Sequence, residues 1–272
     1  MEFNILVFLK ELWSHRREVK FSAKWLLEKL QKNQEFVIFG AGGVGKSTLL
    51  RFLAGEFRET TDVPGEYKES WESEKAEVMF GKRAIAYALP GQRLRRATLW
   101  GNPKVRLETG KIDGIVIVSS FGYHDLGRLP LHEQELYDPE APEDFLEKYL
   151  LANRADEREI RHQLAACCRA RKKKQKLWVL EVITKQDLWF DEAIQVRTEY
   201  LPTMKDLIFA EPTDFDEADI HVETVYVSFR IHPFKSVGGE VLKNSSPQYT
   251  SNLQAEGLKE LEKAVNAILN WN

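Results

Sequence analysis

The chain is poor in sulfur, carries no surplus of either charge and has no long apolar run, and each shortage closes off a class of protein. Among its 272 residues there are two cysteines and three methionines. Cys167 and Cys168 are adjacent in a helical-looking stretch, so they cannot form an ordinary structural bridge, and they match no metal-ligand spacing. They read as reduced, packed thiols of a cytosolic protein, and a chain this long buries a large core without staples. With 39 Lys and Arg against 42 Asp and Glu, the basic excess of a general nucleic-acid binder is missing, and no specific nucleic-acid partner is expected. The longest apolar run, Ile5-Leu6-Val7-Phe8-Leu9, is cut by Lys10 and Glu11, well short of the roughly 20 residues that cross a bilayer. It also lacks the basic start and small-residue cleavage site of a secretory signal, so a cytoplasmic protein is expected.

What is present is a regular alternation. From Ile5 to Leu30 the residues Leu9, Leu12, Trp13, Phe21, Trp25, Leu26 and Leu30 recur mostly at helical spacing, which predicts an N-terminal helical extension over residues 1–34. Phe36-Val37-Ile38-Phe39 then reads as a strand buried on both faces. Gly114 to Val118, Leu177 to Ile183 and Thr224 to Val227 read the same way. Ser70 to Phe80 and Arg83 to Leu89 read as two strands joined by a hairpin-type connection at Gly81-Lys82. Helices are expected over Phe145 to Arg171, Ala193 to Phe209 and Asn252 to Leu269. Buried strands alternating with amphipathic helices imply an α/β fold, a mostly parallel central sheet with helices on both faces. Residues 35–272 would form one domain. The stretches near 121–142 and 201–222 are expected to be inserted loops, the first rich in Gly, Pro and acid and the second partly acidic without apolar periodicity.

Between the first buried strand and the helix after it lies Gly40-Ala41-Gly42-Gly43-Val44-Gly45-Lys46-Ser47-Thr48. This satisfies the P-loop pattern in its required context. Glycines remove Cβ atoms so that successive N–H groups converge on phosphate oxygens, and the helix N-terminus adds its positive dipole end. Lys46 is then expected to bridge the β- and γ-phosphates, with the Ser47 hydroxyl on Mg²⁺.

The base is chosen elsewhere. Thr184-Lys185-Gln186-Asp187 follows a buried strand and resembles the [N/T]KxD guanine-specificity motif of Ras-like and translation-factor-like GTPases. A carboxylate at Asp187 can accept guanine N1–H and the 2-amino group, whereas adenine would leave it unpaired at a cost of a few kcal/mol. The stem of Lys185 would lie along the base plane. Ala88-Leu89-Pro90-Gly91-Gln92 resembles the family's DxxGQ switch, with Gly91 sensing the γ-phosphate and Gln92 orienting the attacking water. The departure is Ala88, where the family has an Asp that holds Mg²⁺ through water. For the threonine that ligates Mg²⁺ in the triphosphate state, Thr60 and Thr61 are candidates, and Asp62 is a candidate substitute carboxylate. Ser228 and Phe229 stand where the family has a short motif near guanine O6.

The resemblance covers roughly Glu35 to Phe229 and the last helix. It implies a P-loop GTPase of a divergent, bacterial branch that binds GTP or GDP with Mg²⁺ and hydrolyses GTP slowly for want of the missing Asp. Two other readings stay open: a non-hydrolysing nucleotide-dependent scaffold, and an ATPase module of a larger signalling machine. The N-terminal stripe must bury against its own domain, a protein partner or a membrane surface, as in Arf-like proteins. Arg169-Ala170-Arg171-Lys172-Lys173-Lys174-Gln175-Lys176 is either a solvated helix end or an anion-attracting patch. Arg93, Arg95 and Arg96 are expected to form the exposed face of a switch helix or to supply charge in cis.

Overall fold

The computed structural model of the chain describes residues 34–57, 72–80, 84–171, 176–214 and 216–271. The expected N-terminal helix, Thr60, Thr61, Asp62 and residues 172–175 of the basic run lie outside the described residues.

Six strands form one sheet: β1 (Gln34–Gly40), β2 (Glu74–Val78), β3 (Ala84–Ala88), β4 (Gly114–Ser119), β5 (Leu177–Ile183) and β6 (Ile220–Tyr226). Their order is β2-β3-β1-β4-β5-β6, with β2 antiparallel to β3 and the other neighbours parallel. Every residue of β4 and β5 is buried, as the continuous apolar runs require of strands covered on both faces. The mixed α/β fold is therefore the one expected, and the expected hairpin is the β2/β3 pair at one edge.

Among the described residues, the helices are α1 (Lys46–Leu53), α2 (Arg93–Leu99), α3 (Gly101–Glu108), α4 (Phe145–Arg169), α5 (Gln186–Trp189), α6 (Ala193–Glu199), α7 (Met204–Phe209) and α8 (Ser251–Asn270). Helix α1 packs on β1, β2 and β3, and α8 packs on β5 and β6. Helix α8 begins where the Thr250 hydroxyl accepts from Leu253 N–H, and it buries Leu258, Leu261, Val265 and Ile268 at helical spacing. A short antiparallel pair, β7 (Phe234–Lys235) and β8 (Val241–Lys243), lies between β6 and α8 and was not expected.

Three expectations are corrected. The single helix over Ala193 to Phe209 is two helices, because Pro202 has no N–H to give and Thr203 caps a new start through a reciprocal box with Asp206. The carbonyls left at the break, Tyr200 O and Pro202 O, accept from the Arg161 guanidinium at 3.1 and 2.8 Å. The last strand begins at Ile220, four residues before Thr224. It borders the sheet beyond β5, so its half-exposed His221 and Glu223 hid it from an apolar pattern. The stretch 201–222 is accordingly α7 plus the start of β6. Of the described residues of the basic run, Arg169 binds Leu207 O, Arg171 is buried on Ile112 O, and Lys176 sits 5.1 Å from the centroid of the Trp271 ring.

The core is densest where β4 meets β5. Gly114 and Trp178 are direct register partners, and the indole lies over the glycine, with Phe36 edge-on to it at 5.0 Å. A Cβ at Gly114 would fall 2.0 Å from Trp178 Cδ2. Gly114→Ala must displace the indole, so it is expected to destabilise the fold by about 1–3 kcal/mol. The check is a lower urea midpoint at unchanged m-value.

Candidate functional site

The site lies at the C-terminal ends of β1, β4 and β5, where open α/β sheets place their ligands. Strand β1 runs into the glycine-rich turn, and α1 starts at Lys46. The turn is packed from two sides. Gly43 has a positive φ of 73°, and a Cβ there would be 2.4 Å from Asp125 N. Asp125 N–H in turn donates to Gly43 O at 3.3 Å. On the other side Gly91 abuts Ala41, with a Cβ at Gly91 only 2.3 Å from Ala41 C, so no larger residue fits. Gly42 faces Gln92: a Cβ at Gly42 would lie 3.8 Å from Gln92 N. The segment after β3 thus rests directly on the phosphate loop. Gln92 Oε1 is buried there with no hydrogen-bond partner among the described residues.

Lys46 folds back on the loop, its Nζ donating to Ala41 O at 2.6 Å. Burial is the main reason its ammonium drops from the usual 10.5 to about 7; the Arg96 cation adds to the fall and the Glu74 carboxylate opposes it. Ser47 Oγ donates to Glu74 Oε1 at 2.8 Å. Thr48 is half-buried in the first turn of α1.

Thr184, Lys185 and Asp187 follow β5. The Thr184 hydroxyl lies 2.7 Å from Val44 O in the phosphate loop and 3.0 Å from Ser119 O at the end of β4, and its N–H donates to Ser119 O. Lys185, at a left-handed φ of 57°, pairs its Nζ with Asp125 Oδ1 at 2.7 Å. Asp187 is buried and engaged at both carboxylate oxygens. Its Oδ1 accepts from Ser228 Oγ, and its Oδ2 accepts from His232 N–H at 3.2 Å and Ser245 Oγ at 2.8 Å. Ser228 therefore stands beside the Asp187 carboxylate. The Phe229 ring does not: it packs with Phe52 and Phe57, centroids 5.9 and 6.3 Å away, as part of the core.

The segment from residue 121 carries no helix or strand as far as Pro130, yet it is packed inward: Phe121, Tyr123, His124 and Leu126 are buried, and Asp125 lies against the glycine-rich loop. What holds them is a buried glutamate on α4. Glu157 takes Ser120 N–H at 2.8 Å, the His124 ring at 2.9 Å and the Tyr200 hydroxyl at 2.6 Å. Burial alone would raise its carboxyl; the His124 hydrogen bond and charge, then Tyr200 and Ser120, outweigh that and hold it below the usual carboxylate range. Asn153 and Tyr149 on the same helix bind Gly122 O and His124 O, each at 3.0 Å. Sequence reading missed Asp125, His124 and Glu157; a buried-helix glutamate facing a Gly-rich turn is the signal that was available.

Arg93 and Arg96 are committed to Asp156 of α4, Arg96 at 2.6 Å, which joins α2 to α4. Among the described residues no cluster of three or more His, Cys, Asp or Glu could hold a metal, and no helix is long and apolar enough to cross a membrane.

A glycine-rich loop after β1 and a hydroxyl-and-carboxylate segment after β5 thus meet at one end of the sheet of a mixed α/β protein. No family model and no curated protein matches the chain. Among solved structures it is similar in fold to that titled the mammalian SRP receptor, at 14% identity and TM-score 0.46, covering 86% of this chain and 100% of that one. It is also similar to the bacterial selenocysteine-specific elongation factor EF-Sec and to the translation elongation factor SelB from Methanococcus maripaludis, in complex with the GTP analogue GPPNHP. Both are 16% identical with TM-score 0.42, over 88% of this chain. The chain spans only 29% and 34% of those two elongation factors.

The depressed Lys46 gives the site a defined pH behaviour. Between about 7 and 10.5 the unfolded chain holds a proton that the folded chain has released, so this group makes stability rise with pH across that window. Bound phosphate favours the ammonium, so ligand binding above pH 7 takes up a proton and weakens as pH rises, by up to about tenfold per unit. Calorimetry in buffers of different ionisation enthalpy should register that uptake, and Lys46→Met should abolish it.

Proposed function

We propose that the chain binds guanine nucleotide with Mg²⁺ and acts as a cytoplasmic nucleotide-dependent switch that hydrolyses GTP slowly. The observation that supports this most is the tie between its two recognition segments: Thr184, three residues before the buried Asp187 carboxylate, is hydrogen-bonded to Val44 O of the phosphate loop. A phosphate cradle and an acceptor-only group are held in one rigid unit, and an acceptor-only group selects a base that presents N–H donors.

In this reading the N–H groups from Gly40 to Thr48 and the Lys46 ammonium hold phosphate. Ser47 would hold Mg²⁺, which neutralises phosphate charge, and Thr61 would join it in the triphosphate state. Gly91 reports the γ-phosphate, and Gln92 orients water. Asp187, with Thr184, Lys185 and Ser228 around it, reads guanine, and Phe229 supports that wall from the core. The residues present fit the metal in one respect, since Ser47 Oγ faces a carboxylate and not an apolar wall.

Nucleotide recovered from the purified protein should be GDP or GTP. Asp187→Asn should weaken GTP binding by ten- to a hundredfold and improve binding of xanthosine triphosphate, whose 2-oxo group suits an amide donor. ATP binding as tightly as GTP would contradict the base assignment.

A second reading, a scaffold that binds nucleotide without hydrolysing it, is favoured by Ala88 at the position of the family's metal-holding Asp. Single-turnover phosphate release separates the two. Release from the wild type that Gln92→Leu abolishes supports hydrolysis, and a wild-type rate at background supports the scaffold.

A further inference from the structure

Ala88 ends β3 with a buried methyl where the resemblance calls for a carboxylate. Its cross-strand neighbour carries one. Strands β2 and β3 are antiparallel, with Glu74 directly opposite Ala88. Directly opposed residues project from the same face of a sheet, Cβ atoms about 4.5–5.5 Å apart. Glu74 therefore reaches, from the next strand, the space that a longer side chain at position 88 would occupy.

The alternation along β2 strengthens this. Lys75 and Glu77 are exposed, whereas Glu74, Ala76 and Val78 lie on the more buried side, so Glu74 is the charged residue of the inward face. A carboxylate on that face needs a reason. Its Oε1 accepts from Ser47 Oγ, the hydroxyl immediately after the phosphate-loop lysine, at 2.8 Å. A hydroxyl and a carboxylate, both hard oxygen donors, thus meet at the N-terminus of the helix that receives the phosphates. Mg²⁺ is held in this way, by one or two carboxylates plus phosphate oxygens and retained waters, and not by an all-protein cage.

We propose that Glu74 is the carboxylate of the Mg²⁺ site, doing from β2 what an Asp at position 88 does in the proteins the chain resembles. The proposal rests on the phosphate-and-Mg²⁺ part of the proposed function and not on its base assignment. Ser47 Oγ and the Glu74 carboxylate would both be donors to the ion. The Glu74 charge then serves the cation.

The test is the affinity for GDP measured with saturating Mg²⁺ and with EDTA. The wild type should bind more tightly with Mg²⁺. Glu74→Gln, nearly the same shape and still able to accept from Ser47, should lose about tenfold or more of that gain while its affinity in EDTA is equal or better, since a negative charge has left the phosphates. Glu74→Asp should keep part of the Mg²⁺ dependence, and adding Ala88→Asp to Glu74→Gln should restore it. Equal Mg²⁺ dependence in the wild type and Glu74→Gln overturns the proposal, as does a wild type indifferent to Mg²⁺. Because Glu74 faces phosphate and not base, the same titration with ADP tests it if GDP does not bind, and that outcome overturns the guanine reading alone. If Glu74→Gln does not fold, Mn²⁺ electron paramagnetic resonance of the nucleotide complex of the wild type and Glu74→Asp decides: identical spectra overturn the role of Glu74, and distinct ones support it.

Discussion

Much of the site hangs on the Thr184 hydroxyl. It stands between two carbonyls, Val44 in the phosphate loop and Ser119 at the end of β4, while its own N–H is fixed to Ser119. One small buried side chain thereby couples the ends of three strands, β1, β4 and β5, into a common rim. The hydroxyl has one proton, and with the Thr184 N–H already serving Ser119 O the nearer Val44 O, at 2.7 Å, is the acceptor it suits; burial makes that bond costly to lose. The direction of Lys185 and the depth of Asp187 follow from it, since both lie within three residues of that anchor.

The second support comes from the side. Strand β4 ends in a turn whose N–H groups and carbonyls have no sheet partners, and these are collected by Glu157, Asn153 and Tyr149 along one helix. The arrangement has a cost, a carboxylate taken out of water. It is offset by several donors converging on that carboxylate, the condition under which buried polar networks rigidify instead of weakening a fold. Asp125 is delivered by this network to Lys185 and Gly43, so a residue with no motif of its own shapes the loop that has the strongest motif in the chain.

The parts legible in sequence were those set by local pattern. The phosphate loop is a run of glycines whose spacing has one physical use, and β1, β4 and β5 are continuous apolar runs because both their faces are covered. The Thr184 to Asp187 segment was legible from its place after such a run. What escaped depended on long-range partners. Glu157 and Arg161 look like solvated helix charges until their acceptors and donors, 20 to 43 residues away in sequence, come into place. The start of β6 was masked by the polar residues of a border strand, and Pro202 was read through when its fixed φ and missing N–H should have divided the helix. Phe229 was placed near the base because it follows Ser228 at the end of the last strand, yet its ring packs with the aromatic neighbours Phe52 and Phe57.

The occupied state of Asp187 bears on how tightly and how selectively such a site works. Its carboxylate already serves Ser228, His232 and Ser245, three of roughly four lone-pair positions. On the proposed reading, a base with two N–H donors would fill the one open position and trade places with one donor the protein had provided. The gain in hydrogen bonding from the right base would therefore be small, because one of its two donors only replaces another. The penalty for a wrong base is undiminished, because it evicts a donor and returns none. On the proposed reading, selectivity and grip would be set separately: the site would discriminate between bases while letting its occupant leave, with Ser245 at hand to close the carboxylate behind it.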